Sequence, residues 1–194
     1  MSDYSIIAEL SDSLVTLLFS ELNADPQMKA LIDSVDRISL ESPADLENNN
    51  SVRLSMYLYR IVENAYLKNR QPLDGRGGTQ KKPPLTLDLY YLLTPLVGTP
   101  REQQIVLGKA MQTLYDRAIL EGPDLEGALG QSAEEIRVVL NSVSLEELTR
   151  VWQALEISYR LSVCYIARVA IMDSEQEHFV SPVVYRRMKF GTIA

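Results

Sequence analysis

The stretch from Pro83 to Leu120 reads PPLTLDLYYLLTPLVGTPREQQIVLGKAMQTLYDRAIL and places a strand directly before a helix. Between Leu85 and Leu93 apolar residues alternate with polar ones, which is the two-residue period of a β-strand. Thr99 to Glu102 then carries a helix-start signal: a threonine cap, a proline at the first helical position and a glutamate at the third that reaches back to the cap amide. The periodicity predicts a helix from there through Ile119.

Similar patterns precede this stretch. From Ser5 to Leu22 apolar residues recur at spacings of three and four, which predicts an amphipathic helix. Val35 to Leu40 is predicted to be a short strand, and Ser51 to about Tyr66 alternates as a long strand with a half-polar face. This long strand and the strand that begins at Leu85 are expected to form a hairpin.

The C-terminal half repeats the alternation of strand and helix. Glu135 to Leu140 is predicted to be a strand, and Ser144 to Glu147 is a second capping box that opens a third helix. Tyr159 to Ile171 alternates without interruption, which predicts a further strand. The fold class is therefore α+β or α/β, with a single mixed, mostly antiparallel sheet packed by about three helices.

Length and composition indicate one domain with a full core, or one domain with an appendage, since the chain has 194 residues of which 46% are hydrophobic. Residues 1–173 are predicted to form a single α+β domain with a flexible basic loop at 68–84. The loop is rich in glycine and proline, which disfavour regular structure. Residues 174–194 are predicted to be a C-terminal tail that serves as an interaction segment.

Charge and cysteine content indicate which classes of partner and which cellular compartment the protein fits. The formal net charge is -7, whereas a surface that binds nucleic acid generally tips a domain basic. The single cysteine excludes an internal disulfide and fits a reducing, cytoplasmic compartment. Met1 to Leu10 carry no basic n-region, so we expect no classical signal peptide, and no apolar run approaches the length of a membrane span. We therefore expect neither general nucleic-acid binding nor membrane insertion.

The sequence contains no recognisable catalytic or metal-binding arrangement. His178 lies beside Glu175 and Glu177, but a lone histidine among glutamates is more often solvated than a metal ligand. Cys164 is predicted to pack as a small hydrophobe. Asp88 is interpreted as one carboxylate on a solvated strand face. We expect no enzyme activity, no metal and no cofactor.

Two features leave alternatives open. The basic loop is either a solvated linker or an arm that becomes ordered on an acidic partner. Tyr57, Tyr59 and Tyr90 on the polar strand faces indicate either a contact surface or cover by a helix on the second face of the sheet. From the residues alone, one possible function is therefore an RNA-binding module or a general protein-interaction adaptor that uses the loop and the tail.

Several blocks of the chain together resemble one protein family. They are LSMYLYRIVEN at 54–64, PPLTLDLYYLLT at 83–94, LGKAMQ at 107–112, IRVVL at 136–140, SLEEL at 144–148 and YRLSV at 159–163. In these blocks, which cover about residues 5 to 173, the chain resembles the N-terminal domain family of cap proteins from phage-tail-like contractile injection systems.

The resemblance implies a structural tail terminator with a tail-terminator-like fold. Such a protein forms a homohexameric ring that closes the non-baseplate end of the inner tube and anchors the last sheath ring. Its partners would be further copies of itself and the sheath and inner-tube proteins, and it would assemble in the cytoplasm as part of the particle. The family supplies no catalytic residues or cofactors to carry over.

Two predictions about partner contacts follow. An edge strand of the sheet is expected to be unpaired in the isolated protein and to exchange a strand with sheath or tube. The tail is expected to pack against an adjacent subunit or the tube, and deletion of residues 176–194 to weaken assembly without unfolding the monomer. The predicted contact residues are Lys68, Arg70, Arg76, Lys81, Lys82, Tyr185, Arg186, Arg187, Lys189 and Phe190.

Overall fold

A computed structural model of the chain describes residues 4–67, 73–74, 79–96, 98–131, 135–174 and 176–179. Its helices are α1 (Ile6–Ala24), α2 (Pro26–Lys29), α3 (Pro100–Asp116) and α4 (Leu145–Ala154). Its strands are β1 (Ile38–Ser39), β2 (Leu54–Glu63), β3 (Leu73–Asp74), β4 (Thr79–Lys81), β5 (Leu85–Pro95), β6 (Ile119–Glu121), β7 (Glu135–Asn141), β8 (Val163–Met172) and β9 (Glu177–Phe179). Short 3-10 turns occupy Val35–Arg37, Gly122–Asp124 and Leu129–Gln131.

Six strands form the main sheet, in the order β1-β2-β5-β8-β7-β6. The pair β1 and β2 is parallel, and the other neighbours in this sheet are antiparallel. The expected hairpin is present, because β2 pairs with β5 from Leu54↔Pro95 to Glu63↔Leu87. The predicted α+β class with a mixed, mostly antiparallel sheet is confirmed.

Helices α1 and α3 cover one face of the main sheet. The apolar stripe of α1, which includes Leu10, Leu14 and Leu18, is buried against the sheet with Leu89 and other inward residues of β5. Each such leucine contributes about 1.5–3 kcal/mol by leaving water. The amphipathic spacing seen in the sequence therefore corresponds to the main core.

Helix α4 covers part of the opposite face. Trp152 and Leu148 of α4 pack there against Leu92 and Cys164 of the sheet. The indole Nε1–H of Trp152 donates to Ser162 Oγ at 3.1 Å. Both α3 and α4 begin with the predicted capping boxes, in which the cap side chain and the glutamate three residues later bond each other's backbone N–H.

Some predicted element ends were wrong. The helix predicted through Ile119 ends at Asp116, because Ile119–Glu121 instead pairs with β7 as strand β6. In the predicted strand Val35 to Leu40, a 3-10 turn occupies the first three residues and only Ile38–Ser39 is strand. Strand β8 begins at Val163 and not at Tyr159.

A second sheet of three strands, in the order β3-β4-β9, joins the predicted loop to the predicted tail, which were predicted as separate segments. The predicted loop at 68–84 contains β3 and β4, and the predicted tail contains β9. Strand β9 pairs antiparallel with β4 through Thr79↔Phe179, Gln80↔His178 and Lys81↔Glu177. The start of the tail therefore folds back on its own domain, where β9 pairs along one side with β4.

Candidate interaction surfaces

The predicted contact residues lie almost entirely outside the described residues. Those outside are Lys68, Arg70, Arg76, Tyr185, Arg186, Arg187, Lys189 and Phe190. Of the remaining two, Lys81 lies in β4, while Lys82 is exposed and its N–H donates to Gln176 O at 3.3 Å. The structure thus places the end of the basic loop directly beside the start of the tail. The RNA-binding alternative depended on residues outside the described ranges.

Asp88 belongs to a buried polar cluster, so its interpretation as a solvated carboxylate was wrong. It is 7% exposed, accepts a hydrogen bond from Asn64 Nδ2 at 3.0 Å, and lies 3.5 Å from Arg168 Nε. The register of β5 and β8 shifts between Leu87 and Leu89, at the position of Asp88. The buried Asp88 carboxylate therefore has both a hydrogen-bond donor and a cationic neighbour, as a buried charge requires.

Cys164 packs in the cluster beneath α4, as its place in an alternating strand predicts. It is 2% exposed, and burial raises the pKa of its thiol. Among the side chains that the structure describes, no three of histidine, cysteine, aspartate or glutamate are grouped so as to hold a metal ion. Within the same ranges, no helix combines the length and apolar character needed to cross a membrane.

The tyrosines of the second face line an open cleft of about 660 Å³ between the sheet and α4. Tyr59 meets Tyr90 edge to face with ring centroids 6.2 Å apart, and the Arg60 guanidinium lies 5.2 Å from the centre of the Tyr90 ring. Burial raises the pKa of the Tyr59 hydroxyl. Of the two alternatives, cover by a helix holds for Tyr59, which packs against the α4 cluster as well as lining the cleft. Tyr57 and Tyr90 line the cleft without being part of that cluster.

Within the part of the chain that the structure describes, the main sheet has unpaired backbone at both of its edges. On one side β1 pairs only with Leu54 and Ser55, so among the described strands nothing flanks the rest of β2. On the other side β6 pairs with residues 135–137 of β7, and Val138 N–H donates to Ala118 O at 2.8 Å. No described strand flanks Val139 to Asn141 beyond that point. Among the described strands, an open edge is present on both sides, as predicted.

An apolar groove of about 600 Å³ lies where the open end of β7 meets the end of α3. We call it the β7 groove, and its lining includes Met111, Tyr115, Ala118, Val139, Leu140 and Tyr165. Tyr115 is 82% exposed and Leu140 is 50% exposed. Two large apolar side chains that are exposed side by side form an apolar patch, which is typical of an interaction surface.

Acidic side chains stand next to the β7 groove. Asp116, Glu121, Asp124 and Glu135 line a smaller cleft that shares Ala118 with it. Glu135 bonds Arg137 at 2.9 Å, but within the described part of the chain Asp116, Glu121 and Asp124 have no ion-pair partner. We call these three residues the acidic rim. The periodicity of the sequence did not reveal this surface, because α3, β6 and β7 come together only through non-local pairing.

Comparison with known proteins gives one family and a shared fold. Residues 9–186 match the Pvc16 N-terminal domain. The sheath/tube terminator of PVC, an extracellular contractile injection system, in its extended state is similar in structure with a TM-score of 0.63 and 17% identity, covering 100% of this chain and 66% of that chain. The tube-terminating cap of the anti-feeding prophage is similar with a TM-score of 0.57 and 16% identity, covering 93% of this chain and 60% of that chain.

The chain therefore spans about two thirds or less of the length of these two solved structures. A search of curated proteins gave no match. The family match extends over most of the chain, from within α1 past the end of β9. By that match, the chain belongs to the Pvc16 N-terminal domain family.

Proposed function

We propose that this chain is a tail terminator, which closes the non-baseplate end of the tube and sheath of a contractile injection particle. The observation that carries the proposal is the fold match over the whole chain to a sheath/tube terminator, supported by the match to a tube-terminating cap. Membership of the family adds support that does not depend on the fold comparison. The chain acts, in this proposal, through its surfaces and not by catalysis, and it needs no cofactor.

The proposed assembly is a homohexameric ring. A ring with rotational symmetry needs two different surfaces on each subunit, one of which contacts the other on the next copy. In this proposal the β7 edge of the main sheet is one such surface and the C-terminal tail is the other, so the β2 edge stays available for the particle. Sheath and inner-tube proteins are the other proposed partners, with assembly in the cytoplasm.

The β2 edge is the proposed contact with sheath or tube. Arg60 and Ile61 are exposed there, and strand addition would satisfy the main-chain groups on the open side of β2. The charged Arg60 on this edge discourages pairing with unrelated strands, because charged residues at a sheet edge disfavour non-specific strand addition. This gives the terminator one surface for the particle and leaves the other for the ring.

The experiment is negative-stain microscopy of particles produced with the chain, without it, and with the variant Ile61→Asp. We expect closed non-baseplate ends with the wild-type chain, and open ends of variable length without it or with the variant. Tyr66→Asp serves as the matched control, since Tyr66 is 94% exposed just after the same strand. Closed ends of unchanged length in particles that lack the chain would overturn the proposal.

A further inference from the structure

We propose that the β7 groove of one subunit receives residues 183–190 of a second copy of this chain. The inference rests on the proposed function, since it names the surface through which the ring closes. Residues 183–190 read VVYRRMKF and lie outside the described residues. The groove, its open backbone and its acidic rim are each observed in the structure.

The groove matches the apolar part of this segment. Leu140 and Val139 of the sheet edge and Tyr115 of α3 present exposed apolar surface, and the walls behind them are apolar as well. The segment carries Val184, Met188 and other large apolar residues in a length of eight. Large apolar anchors that fill a preformed groove are the contacts that dominate binding at protein interfaces.

The backbone of β7 matches an added strand. Val138 N–H already points outward, since it donates to Ala118 O. Backbone groups two residues apart in an antiparallel strand point the same way, so the N–H and C=O of Leu140 also face the open side. Val183, Val184 and Tyr185 have the β-branched and aromatic side chains that strands favour. Their main chain can therefore pair where β6 stops.

Charge favours this occupant over an uncharged apolar segment. The acidic rim, formed by Asp116, Glu121 and Asp124, stands beside the groove and lacks ion-pair partners among the described residues. Arg117 is nearby, but it lies 3.8 Å from a carboxylate oxygen of Glu21. The segment 183–190 carries Arg186, Arg187 and Lys189 and no acidic residue. Complementary charge of this kind selects the partner and fixes its direction in the groove.

A second copy is the occupant that the proposed ring requires. Residues 180–182 link β9 to the segment, and the far end of the segment at Phe190 can lie up to about 40 Å from β9 in an extended chain, so the segment can reach a neighbouring copy that packs close to the small sheet. In a head-to-tail ring every subunit donates one segment and receives one, so no groove stays empty. Docking of the segment in the groove of its own subunit is the competing outcome, and the test separates the two.

The test uses two full-length variants that each disable one half of the contact. Leu140→Arg places a cation in the groove, and the double variant Tyr185→Asp with Phe190→Asp removes two anchors and adds repulsion from the acidic rim. Leu161→Arg is the matched control, because Leu161 is also exposed, at 40%, and lies outside the groove lining. Size-exclusion chromatography with light scattering and native mass spectrometry report the assembly state.

We expect each groove or tail variant alone to lose the ring, with the subunit affinity lowered at least about thirtyfold, as for loss of one hot-spot contact. An equimolar mixture should form a one-to-one pair, because one variant keeps its groove and the other keeps its tail. Leu161→Arg should assemble as the wild type does. Circular dichroism on each variant confirms that its fold is intact.

Two results would overturn the inference. Rings that form normally with Leu140→Arg would remove the groove from the interface, and variants that lose assembly but form no pair when mixed would indicate docking within one subunit. Either result leaves the terminator proposal standing if the wild-type chain still closes particle ends. Failure of the wild-type chain to close ends would instead count against the proposed function.

Discussion

Replacement of Trp152 tests whether the packing of α4 on the sheet contributes substantially to the stability of the fold. Trp152 is 1% exposed, packs with Leu148 against the second face of the sheet, and contacts Tyr159 edge to face at 5.9 Å. Trp152→Ala removes the largest side chain of this cluster. The expected loss of stability is about 3–5 kcal/mol, which is the range for truncating a buried aromatic residue to alanine.

The hydrogen bond accounts for only a small part of this loss. Without the indole, Ser162 Oγ still donates to Arg160 O at 3.2 Å, so its hydroxyl keeps a partner. The net value of the lost bond is about 1 kcal/mol. Trp152→Phe keeps most of the packing and should therefore cost about 1–2 kcal/mol. Packing, and not the hydrogen bond, is expected to hold α4 on the sheet.

Urea unfolding followed by far-ultraviolet circular dichroism measures both variants, since the protein has a single tryptophan and its fluorescence is lost in them. Low protein concentration keeps assembly from adding to the measured stability. Tyr66→Ala is the control and should change stability by less than about 0.5 kcal/mol, because Tyr66 is 94% exposed. A loss below about 1 kcal/mol for Trp152→Ala, or equal losses for the two variants, would refute this reasoning.

Three further outcomes are expected. Gly127→Ala should destabilise the protein by about 1–3 kcal/mol in urea unfolding, because the φ of Gly127 is +60° and a Cβ there would lie 2.6 Å from a side-chain carbon of α1. The control Gly108→Ala, at a position with open space on α3, should stabilise the protein slightly. Equal effects of the two substitutions would contradict this expectation. Hydrogen bonds from Ser144 lower the pKa of Glu147 below its ordinary 4.5. The stability lost in Glu147→Ala should therefore be greatest near pH 7 and should shrink as pH falls through the pKa of Glu147 in the folded protein. A loss of stability that does not change with pH would contradict this expectation. Cys164 should react with a thiol reagent far more slowly in the folded protein than in urea, because it is buried with a raised thiol pKa, and rapid native labelling would show otherwise.

Local patterns predicted the helices and the long strands well. The capping boxes at Thr99 and Ser144 fix helix starts through hydrogen bonds within four residues, so their sequence is sufficient. The two-residue period of β2 and β5 likewise predicted both strands. In each case the residues that determine the structure are neighbours in the chain.

Non-local pairing explains what the sequence did not reveal. Ile119 continues the apolar spacing of α3, but its strand is decided by β7, many residues later. The small sheet joins Thr79 to Phe179 across most of the domain, and no local pattern connects these segments. Consequently, a deletion that starts at residue 176 would remove β9 as well as the tail, so a deletion from residue 180 is the cleaner test.

The central claim is that this chain closes the end of a contractile injection particle as a ring. Cryo-electron microscopy of the non-baseplate end of intact particles tests it most directly. We expect six copies of this α+β domain in a ring on the last layer of tube and sheath, with the β7 side of each copy facing the next. A particle end built without this chain, or the chain found elsewhere in the particle, would contradict the claim.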